Sequence, residues 1–460
     1  MAASSGLEYL DLHPFVRTAT HDKLLGCIFG GALGDCIGLY TEFLPKTSSE
    51  KQYPDRSFSL VEPVTPFATD THRDKFELGS WTDDTDHALL LILSYLHNKG
   101  QIIPVDFARR LKIWVRHGLL ALDRLPLGIG RTTSTVVSYP DFAENPESVA
   151  LKTWMNSSRQ GAANGSLMRT HPLGIMCIPK TLDQTFELAA QMSRTTHIDP
   201  RCTVSCCAVT GLVRGLLRGE VLVEADMDAV LDQAFLYVHG SDTLRNPGHD
   251  EPAAAPISAE QSDALLDRHE YEKHIKAAKY SDLELDDSQK MGYVYKCLGS
   301  AVLALRSTMR TAASDAGPRV TIINLFEETI IDLIMQGGDA DTNGCVAGAL
   351  LGAWSGYSRL PSHWVRGIQH QGWLVEKCEA LSGQVGVNTE QIQDISNPAD
   401  TAPDGGRGLF SDKELNDRER GLLEKILLKQ KTRRDEKEKE LMKTSKKGVG
   451  SLLKALKLTT

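Results

Sequence analysis

Apolar residues recur at helical spacing along most of the chain. In the segment 83–97, for example, they occupy positions 88, 89, 92, 93 and 96, which lie on one face of an α-helix. Alternating apolar and polar runs, the pattern of a half-buried strand, are nearly absent. The pattern therefore predicts an all-α fold. It places further helices over residues 21–43, 104–122, 181–192, 200–218, 224–238, 263–278, 289–309, 321–335 and 341–357.

Composition along the chain predicts four parts. Residues 1–20 form an N-terminal lead-in, and residues 21–395 form one globular helical domain with a turn-rich insertion at 240–262. The proline- and glycine-rich stretch at 396–410 is typical of a disordered linker. The remaining residues, 411–460, form a charged helical tail.

Charge is distributed unevenly between the body and the tail. Hydrophobic residues make up 41% of the chain and charged residues 24%, the balance of a soluble globular protein. The net charge is −9, but residues 425–460 carry twelve Lys or Arg against four Asp or Glu, so residues 1–424 carry −17. An acidic body argues against a nucleic-acid-binding core, which would present a basic face. It is compatible with a body that holds metal cations.

The sequence carries no signal for secretion or membrane insertion. No run of eighteen uncharged apolar residues occurs, and the N-terminus lacks a basic patch followed by an apolar core. The nine cysteines form no C-x-x-C pair, which predicts free and mostly buried thiols in a reducing compartment. We therefore expect a cytoplasmic monomer without a membrane span.

Two short acidic segments share an unusual composition. Thr82–Asp86, TDDTD, and Gly337–Gly344, GGDADTNG, each stand directly before an apolar helix. A single Asp or Thr in such a place would be explained as a helix N-cap. Several acids together repel one another, whereas Asp and Thr oxygens are preferred ligands of hard cations such as Mg²⁺ and Mn²⁺. The two segments could therefore enclose a two-metal centre.

A third carboxylate follows a glycine-rich helix. In GGALGDCIGLYTEF, Gly30–Phe43, the glycines would let the backbone turn tightly and approach a ligand. Glu42 lies just beyond the end of this helix. Taken alone, such a glutamate is usually a solvated surface residue. Beside the two acidic segments, it becomes a candidate for the same centre.

Five motifs between Leu24 and Tyr357 resemble a known family. Their order is G-D-x-x-G-x-x-x-E, W-T-D-D-T, N-G-S-L-M-R, T-H-x-D-P-R and G-G-D-A-D-T-N. In this order they resemble the ADP-ribosylglycohydrolases, typified by the dinitrogenase-reductase-activating glycohydrolase and the ADP-ribosyl-acceptor hydrolases. The resemblance implies a compact orthogonal bundle of helices around two Mg²⁺ or Mn²⁺ ions. It also implies an enzyme that hydrolyses the bond between ADP-ribose and an acceptor, either a protein side chain or the acetyl group of O-acetyl-ADP-ribose.

The resemblance also assigns residues to the metal centre. Glu42 matches an acidic residue near the metals, and Glu42, Asp83 and Asp341 are the candidate catalytic residues. Asp86 matches no ligand of the family, so we interpret it as a helix cap or as a support for a ligand. The metal ligands implied by the resemblance are Thr82, Asp83, Asp84, Asp339, Asp341 and Thr342.

Three other segments, Arg159–Pro172, Thr195–Cys202 and Leu125–Thr133, are expected to bind the substrate. Small residues in Arg159–Pro172 could offer backbone N–H groups to a diphosphate, although an ordinary turn would have the same composition. Family members selective for serine-linked ADP-ribose tend to carry an aromatic residue where this chain has Ala162 and Ala163, which leaves the adenine contact open. The substrate-binding residues implied by the resemblance are Gly161, Asn164, Gly165, Ser166, His197 and Gly130.

The expected chemistry is cleavage at the anomeric carbon of ribose, through a cation-like transition state. A metal pair could hold the ribose hydroxyls and activate a water molecule, while Glu42 or a metal-bound aspartate moves the proton. The alternative is a catalytically silent relative that binds ADP-ribose or has a structural, crystallin-like role. That alternative predicts lost ligands, whereas all six positions are present. The acceptor linkage and the choice between Mg²⁺ and Mn²⁺ stay open.

The basic tail has three interpretations. It could be a solvated charged helix, or its Lys and Arg clusters could direct the protein to the nucleus or dock on a polyanion. Its end, SLLKALKL, could instead lie on a membrane surface. The second interpretation leaves a nuclear location open beside the cytoplasmic one.

Overall fold

Helices account for the regular structure of the chain. The computed structural model describes residues 6–249, 259–314, 320–388 and 398–457, and within these ranges it contains three isolated β-bridges but no β-strand. The predicted all-α fold is confirmed. The α-helices are α1 (Pro14–Gly38), α2 (Lys46–Gln52), α3 (Asp83–His97), α4 (Pro104–His117), α5 (Arg131–Val137), α6 (Pro146–Asn156), α7 (His171–Met176), α8 (Leu182–Arg194), α9 (Pro200–Arg218), α10 (Glu224–His239), α11 (Asp242–Arg245), α12 (Ala259–Leu265), α13 (Arg268–Ile275), α14 (Val294–Ala313), α15 (Val320–Ile334), α16 (Ala340–Ser355), α17 (Ser362–Gly367), α18 (Gln371–Val385) and α19 (Asp412–Lys457).

Most predicted helices form close to their expected bounds. Those expected at 83–97 and 200–218 match α3 and α9 at both ends. The helix expected at 263–278 is divided into α12 and α13. The division falls at Asp267, because its carboxylate caps α13 by accepting the N–H of His269 at 2.8 Å.

The first helix begins earlier than the sequence indicated. α1 starts at Pro14, inside the segment interpreted as a lead-in. Proline suits the first turn of a helix, and the ring of His13 accepts the N–H of Phe15 at 3.3 Å. These two signals identify the helix start, although Phe15 itself is exposed.

The stretch interpreted as a disordered linker is ordered from residue 398 onward, so that expectation was wrong for this part. A 3₁₀-helix forms there and buries Thr401. Asp400 accepts hydrogen bonds from Trp373 at 2.7 Å and from Lys377 at 2.8 Å, which ties the stretch to α18. Composition alone could not reveal these partners. The first two residues of the stretch lie outside the described ranges.

The insertion at 240–262 contains the short helix α11 and the beginning of α12. Its residues 250–258 lie outside the described part of the chain. The predicted helical tail forms α19. This helix and residues 69–77 make a compact unit of their own, in which buried Asp74 pairs with Arg433. The remaining residues form the other unit.

Four helices of the larger unit, α1, α9, α14 and α16, are buried on nearly all sides. Their position explains why their sequences are apolar or small around the whole helix. All nine cysteines are free and buried, as predicted. Within the described ranges, no helix combines the length and the apolar character needed to cross a membrane.

Glycines bring α1 and α16 into backbone contact. A Cβ built on Gly34 would lie 1.9 Å from the carbonyl oxygen of Gly344, and one built on Gly30 would lie 2.2 Å from that of Gly348. The expectation that these glycines serve a turn or a ligand was wrong, because they lie inside a helix. They set the spacing of two antiparallel helices, and this spacing positions acidic residues at the adjoining ends. The other contacts of this kind join Gly26 to Gly352 and Gly38 to Ala340.

Candidate metal centre and substrate cleft

The start of α3 is held by a carboxylate from α1. Asp35 accepts the backbone N–H of Thr82 at 2.9 and 3.1 Å, and the N–H and hydroxyl of Thr85 at 3.0 and 2.6 Å. Asp35 thus satisfies N–H groups at the N-terminus of α3 that have no partner within the helix. Asp35 was not among the candidate site residues.

Two groups of carboxylates meet next to this helix start. Oxygens of Asp35, Asp84 and Asp341 all lie within 4.8 Å of one another, and so do oxygens of Glu42, Asp339 and Asp341. Asp341 belongs to both groups, so the groups adjoin. The structure therefore brings together the two acidic segments and Glu42, as the sequence predicted.

The other candidate ligands lie around these groups. The Thr82 hydroxyl donates to Asp84 at 2.9 Å and lies 3.3 Å from an oxygen of Asp341. The Thr342 hydroxyl is close enough to Asp84 and Asp339 to lower the pKa of both carboxyl groups. Asp83 is in neither group.

Burial and mutual repulsion raise the pKa values of the clustered acids. Burial raises the pKa of Asp35 to about 7, against the opposing hydrogen bonds from Thr85 and Thr82. Burial likewise raises the pKa of Asp339 to about 6, and the neighbouring charge of Glu42 adds to the rise. Burial and then nearby carboxylates raise the pKa values of Asp83, Asp84 and Asp341 well above the usual value.

The donors fit hard divalent cations. One carboxylate oxygen of Asp84 and one of Asp341 are buried and have no hydrogen-bond partner within the described residues. Buried carboxylates that repel one another are costly unless cations compensate them. Because carboxylate and hydroxyl oxygens are the only donors in both groups, the set favours Mg²⁺ or Mn²⁺ over softer metals.

Backbone hydrogen bonds join the residues that follow Glu42 to the residue before Asp339. The N–H of Phe43 donates to the carbonyl of Gly338 at 2.6 Å, and the N–H of Gly338 donates to Leu44 at 2.9 Å. Gly338 has a φ of +69°, which glycine adopts without strain. Asn164 donates its side-chain N–H to Asp339 at 2.7 Å. Asn164, a candidate substrate residue, thus supports a candidate ligand.

Asp86 belongs to neither of the two carboxylate groups and has other partners. The indole N–H groups of Trp81 and Trp114 donate to its two oxygens at 2.7 and 2.9 Å. Arg124 forms an ion pair with it at 3.3 Å. Asp86 therefore joins the start of α3 to Trp114 of α4 and to Arg124, and these contacts are neither a helix cap nor a contact with a candidate ligand.

One cavity adjoins the centre, and a second cavity shares lining residues with it. The first, of about 1090 Å³, is lined in part by Gly161, Arg201 and Gly292, and a Cβ on Gly292 would lie 3.6 Å from Asp339. The other, of about 410 Å³, is lined in part by Gly161 and His197. Arg131 lines both. The structure thus places Gly161 and His197 where a ligand next to the acids could reach them.

The remaining candidate substrate residues have different surroundings. Ser166 is buried and accepts a hydrogen bond from Ser193 at 3.0 Å, so its hydroxyl faces the interior. Gly165 packs against the ring of His197, since a Cβ there would lie 3.0 Å from it. Gly130 is exposed at the start of α5 and has open space around it.

Backbone hydrogen bonds bear on the expectation that the 159–172 segment offers N–H groups to a diphosphate. The N–H of Asn164 donates to Gly292 at 3.1 Å, and the N–H of Val294 donates to Ala162 at 3.0 Å. The segment therefore pairs with a second chain segment, and the N–H of Asn164 is not available to a phosphate.

His197 is a neutral histidine in this environment. Burial, followed by the charge of Arg169, lowers its pKa to about 3. One ring nitrogen is 2.7 Å from the hydroxyl of Thr196. Burial also lowers the pKa of Arg169 to about 10, and this guanidinium donates to Thr196 at 2.6 Å. His197 can therefore exchange hydrogen bonds with a ligand without carrying a charge.

A helical bundle with two adjoining carboxylate groups beside a cleft is compatible with a hydrolase. The family model described as ADP-ribosylglycohydrolase matches residues 17–391. The chain belongs to the ADP-ribosylglycohydrolase family, whose members are enzymes.

Curated relatives span most of the chain. The protein named ADP-ribosylarginine hydrolase Tri1 of Serratia proteamaculans is 26% identical over 81% of this chain and 83% of its own length. Its namesake from Pseudomonas putida is 24% identical over 79% and 80%. The ADP-ribosyl-[dinitrogen reductase] glycohydrolase of Rhodospirillum rubrum is 24% identical over 75% and 90%.

Proposed function

We propose that this chain hydrolyses the glycosidic bond between ADP-ribose and an acceptor, with two Mg²⁺ or Mn²⁺ ions. The observation that carries the proposal is the sharing of Asp341 by two adjoining carboxylate groups next to a large cleft. Asp35, Asp84 and Asp341 would hold one cation, and Glu42, Asp339 and Asp341 the other. Asp83, Thr82 and Thr342 would complete the oxygen donors around them.

Each part of the site has a task in this proposal. The cation pair, when bound, would supply Lewis-acid stabilisation and an activated water at the ribose. Glu42 is the candidate to move the proton, because its carboxylate lies within 4.8 Å of those of Asp339 and Asp341. Asn164 holds Asp339 in place, and His197 and Gly161 line the cavities that would receive the ADP portion.

We further propose an ADP-ribosylated protein as the substrate, with arginine as the first acceptor to test. The names of the Serratia and Pseudomonas relatives support arginine. The acidic body of the chain, with −17 over residues 1–424, would attract a basic acceptor segment.

The test is release of ADP-ribose by the purified chain from an arginine-ADP-ribosylated protein and from O-acetyl-ADP-ribose. We expect release with Mg²⁺ or Mn²⁺, none with EDTA, and none from Asp341→Asn. Asp183→Asn, on the exposed face of α8, is the control and should keep full activity. Release that survives both EDTA and Asp341→Asn would refute the proposal. Binding of ADP-ribose without turnover of either substrate would favour the silent relative instead.

A further inference from the structure

Asp86, like Asp83, is an acid of α3 that the two carboxylate groups do not include. It is 1% exposed, and both of its oxygens accept an indole N–H, from Trp81 and Trp114. Such hydrogen bonds to an ionised group are among the stronger ones in proteins. Asp86 is therefore committed to these partners, and its negative charge needs a buried positive partner.

Arg124 is that partner, and three contacts fix it. Its Nε lies 3.3 Å from Asp86, and its guanidinium donates to the carbonyl of Trp81 at 2.9 Å. The guanidinium carbon also lies 4.7 Å from the centre of the Trp81 ring. The Arg124 side chain is 11% exposed, so solvent screens the ion pair only weakly.

Arg124 begins the loop that passes over the acids. Its backbone N–H donates to Leu119 at 3.2 Å, which closes a tight turn after α4. Four residues further on, Gly128 has a φ of +78°, and a Cβ there would lie 2.7 Å from an oxygen of Asp83. The loop 125–130 then leads into α5, where Arg131 and Thr132 line both cavities.

We infer that Asp86 positions the substrate cleft through Arg124, by holding the loop 125–130 against Asp83. Asp86 must be a carboxylate for this role, because two indole N–H groups donate to its oxygens and the Arg124 guanidinium pairs with its charge. An amide at position 86 would turn its NH₂ group toward one of these donors. Asp86 and Arg124 are therefore positioning residues, and the kinetic part of the inference rests on the proposed function.

The first test is independent of activity. Hydrogen–deuterium exchange of the loop 125–130 is compared in the wild type, Asp86→Asn, Arg124→Gln and the double variant. Arg124→Gln is the cleaner change, because it leaves both indole bonds of Asp86 intact. We expect exchange in the loop to rise about tenfold or more in each variant, while exchange in α16 stays unchanged. The double variant should exchange no faster than the single ones, because both act through one contact.

The second test measures the cleft. In Arg124→Gln we expect the KM for the ADP-ribosylated protein to rise about tenfold, while kcat changes less than about threefold. The Kd for ADP-ribose in the presence of Mn²⁺, measured by calorimetry, should also rise about tenfold. Arg124→Lys should recover part of the loss, because it restores the charge next to Asp86.

Asp106→Asn is the matched control. Asp106 also pairs with an arginine, Arg110, and also accepts two further side-chain hydrogen bonds, but it lies on α4 away from the loop. It should leave loop exchange and KM unchanged. Unchanged loop exchange in Arg124→Gln, or strictly additive effects in the double variant, would overturn the inference. An inactive wild type whose loop exchange still responds would count against the proposed function alone.

Discussion

The backbone N–H of Thr82 donates to both carboxylate oxygens of Asp35, at 2.9 and 3.1 Å. The first helix of the body thus caps the helix that carries one acidic segment. Asp35 is also one of the three acids that could hold a cation together with Asp84 and Asp341. One side chain therefore joins the helix start to the candidate metal centre.

The first prediction concerns this double role of Asp35. We expect Mn²⁺ to raise the Tm of Asp35→Asn less than it raises the Tm of the wild type. The reason is that the proposed cation between Asp35, Asp84 and Asp341 would lose one charged ligand. Thr181→Ala is the control, since Thr181 caps α8 by accepting the N–H of Gln184 at 3.3 Å. Loss of this cap should lower the free energy of unfolding by about 1 kcal/mol and so lower Tm. The rise in Tm on adding Mn²⁺ should stay as large as in the wild type. Equal rises in the two variants would contradict the assignment.

The second prediction concerns the sharing of Asp341. Asp341→Asn should weaken the binding of both cations, whereas Glu42→Gln should weaken only one, because Asp35 and Asp84 remain. Calorimetric titration with Mn²⁺ gives the number of ions bound by each variant. We expect two in the wild type, one in Glu42→Gln and none at micromolar affinity in Asp341→Asn. The same stoichiometry in both variants would exclude a shared ligand.

The third prediction concerns the contact between α1 and α16. Gly34→Ala should lower the free energy of unfolding by about 1–3 kcal/mol, because the new Cβ would meet the carbonyl of Gly344 at 1.9 Å. It should also weaken Mn²⁺ binding, since the acids at the helix ends would move apart. Gly372→Ala, in an exposed turn of α18 with open space, should be neutral or stabilising by up to about 1 kcal/mol. Urea unfolding with and without Mn²⁺ measures both effects.

The fourth prediction is a pH dependence due to His171. Burial lowers the pKa of His171 to about 4, below its value of about 6.5 in an unfolded chain. The unfolded state therefore binds the proton first, and stability present above pH 6.5 is lost as the pH falls toward 4. The part of this loss due to His171 between pH 7 and pH 5 should be about 2 kcal/mol.

The measurement is urea unfolding of wild type and His171→Gln at several pH values. The variant should lose about 2 kcal/mol less than the wild type over this range, whatever its stability at pH 7. His269→Gln, which changes an exposed histidine of α13, should keep the wild-type slope. A wild-type slope in His171→Gln would show that this ring does not titrate as its burial implies.

The sequence was informative about the acids because their chemistry is local. Each acidic segment has more carboxylates before its apolar helix than a cap needs. This excess, present at two places in the chain, predicted that the two segments are neighbours in the fold, and the structure confirms it. Asp35 was missed because the glycines around it were interpreted as residues of a tight turn. The available signal was an aspartate inside an otherwise apolar and small-residue helix, where a charge is costly unless it has partners.

The role of Asp86 could not be predicted from the residues beside it. Its partners Trp114 and Arg124 come from α4 and from the turn after it, so the contact exists only once the helices pack. The order around Thr401 was missed for the same reason, since Trp373 and Lys377 of α18 create it. The apolar positions of α18 recur at helical spacing, and this pattern is the sequence signal that predicts the helix.

The contact of α1 with α16 has a consequence for the choice of ion. Because α1 and α16 touch through backbone atoms, no side chain between them can change its rotamer and so alter their spacing. The spacing of the oxygens near the two helix ends would therefore be set largely before an ion binds. Ca²⁺ prefers oxygens at about 2.3–2.6 Å and Mg²⁺ at about 2.0–2.1 Å, so such a spacing would discriminate by ionic radius. The glycines of α1 would then contribute to the selection of the ion by its radius.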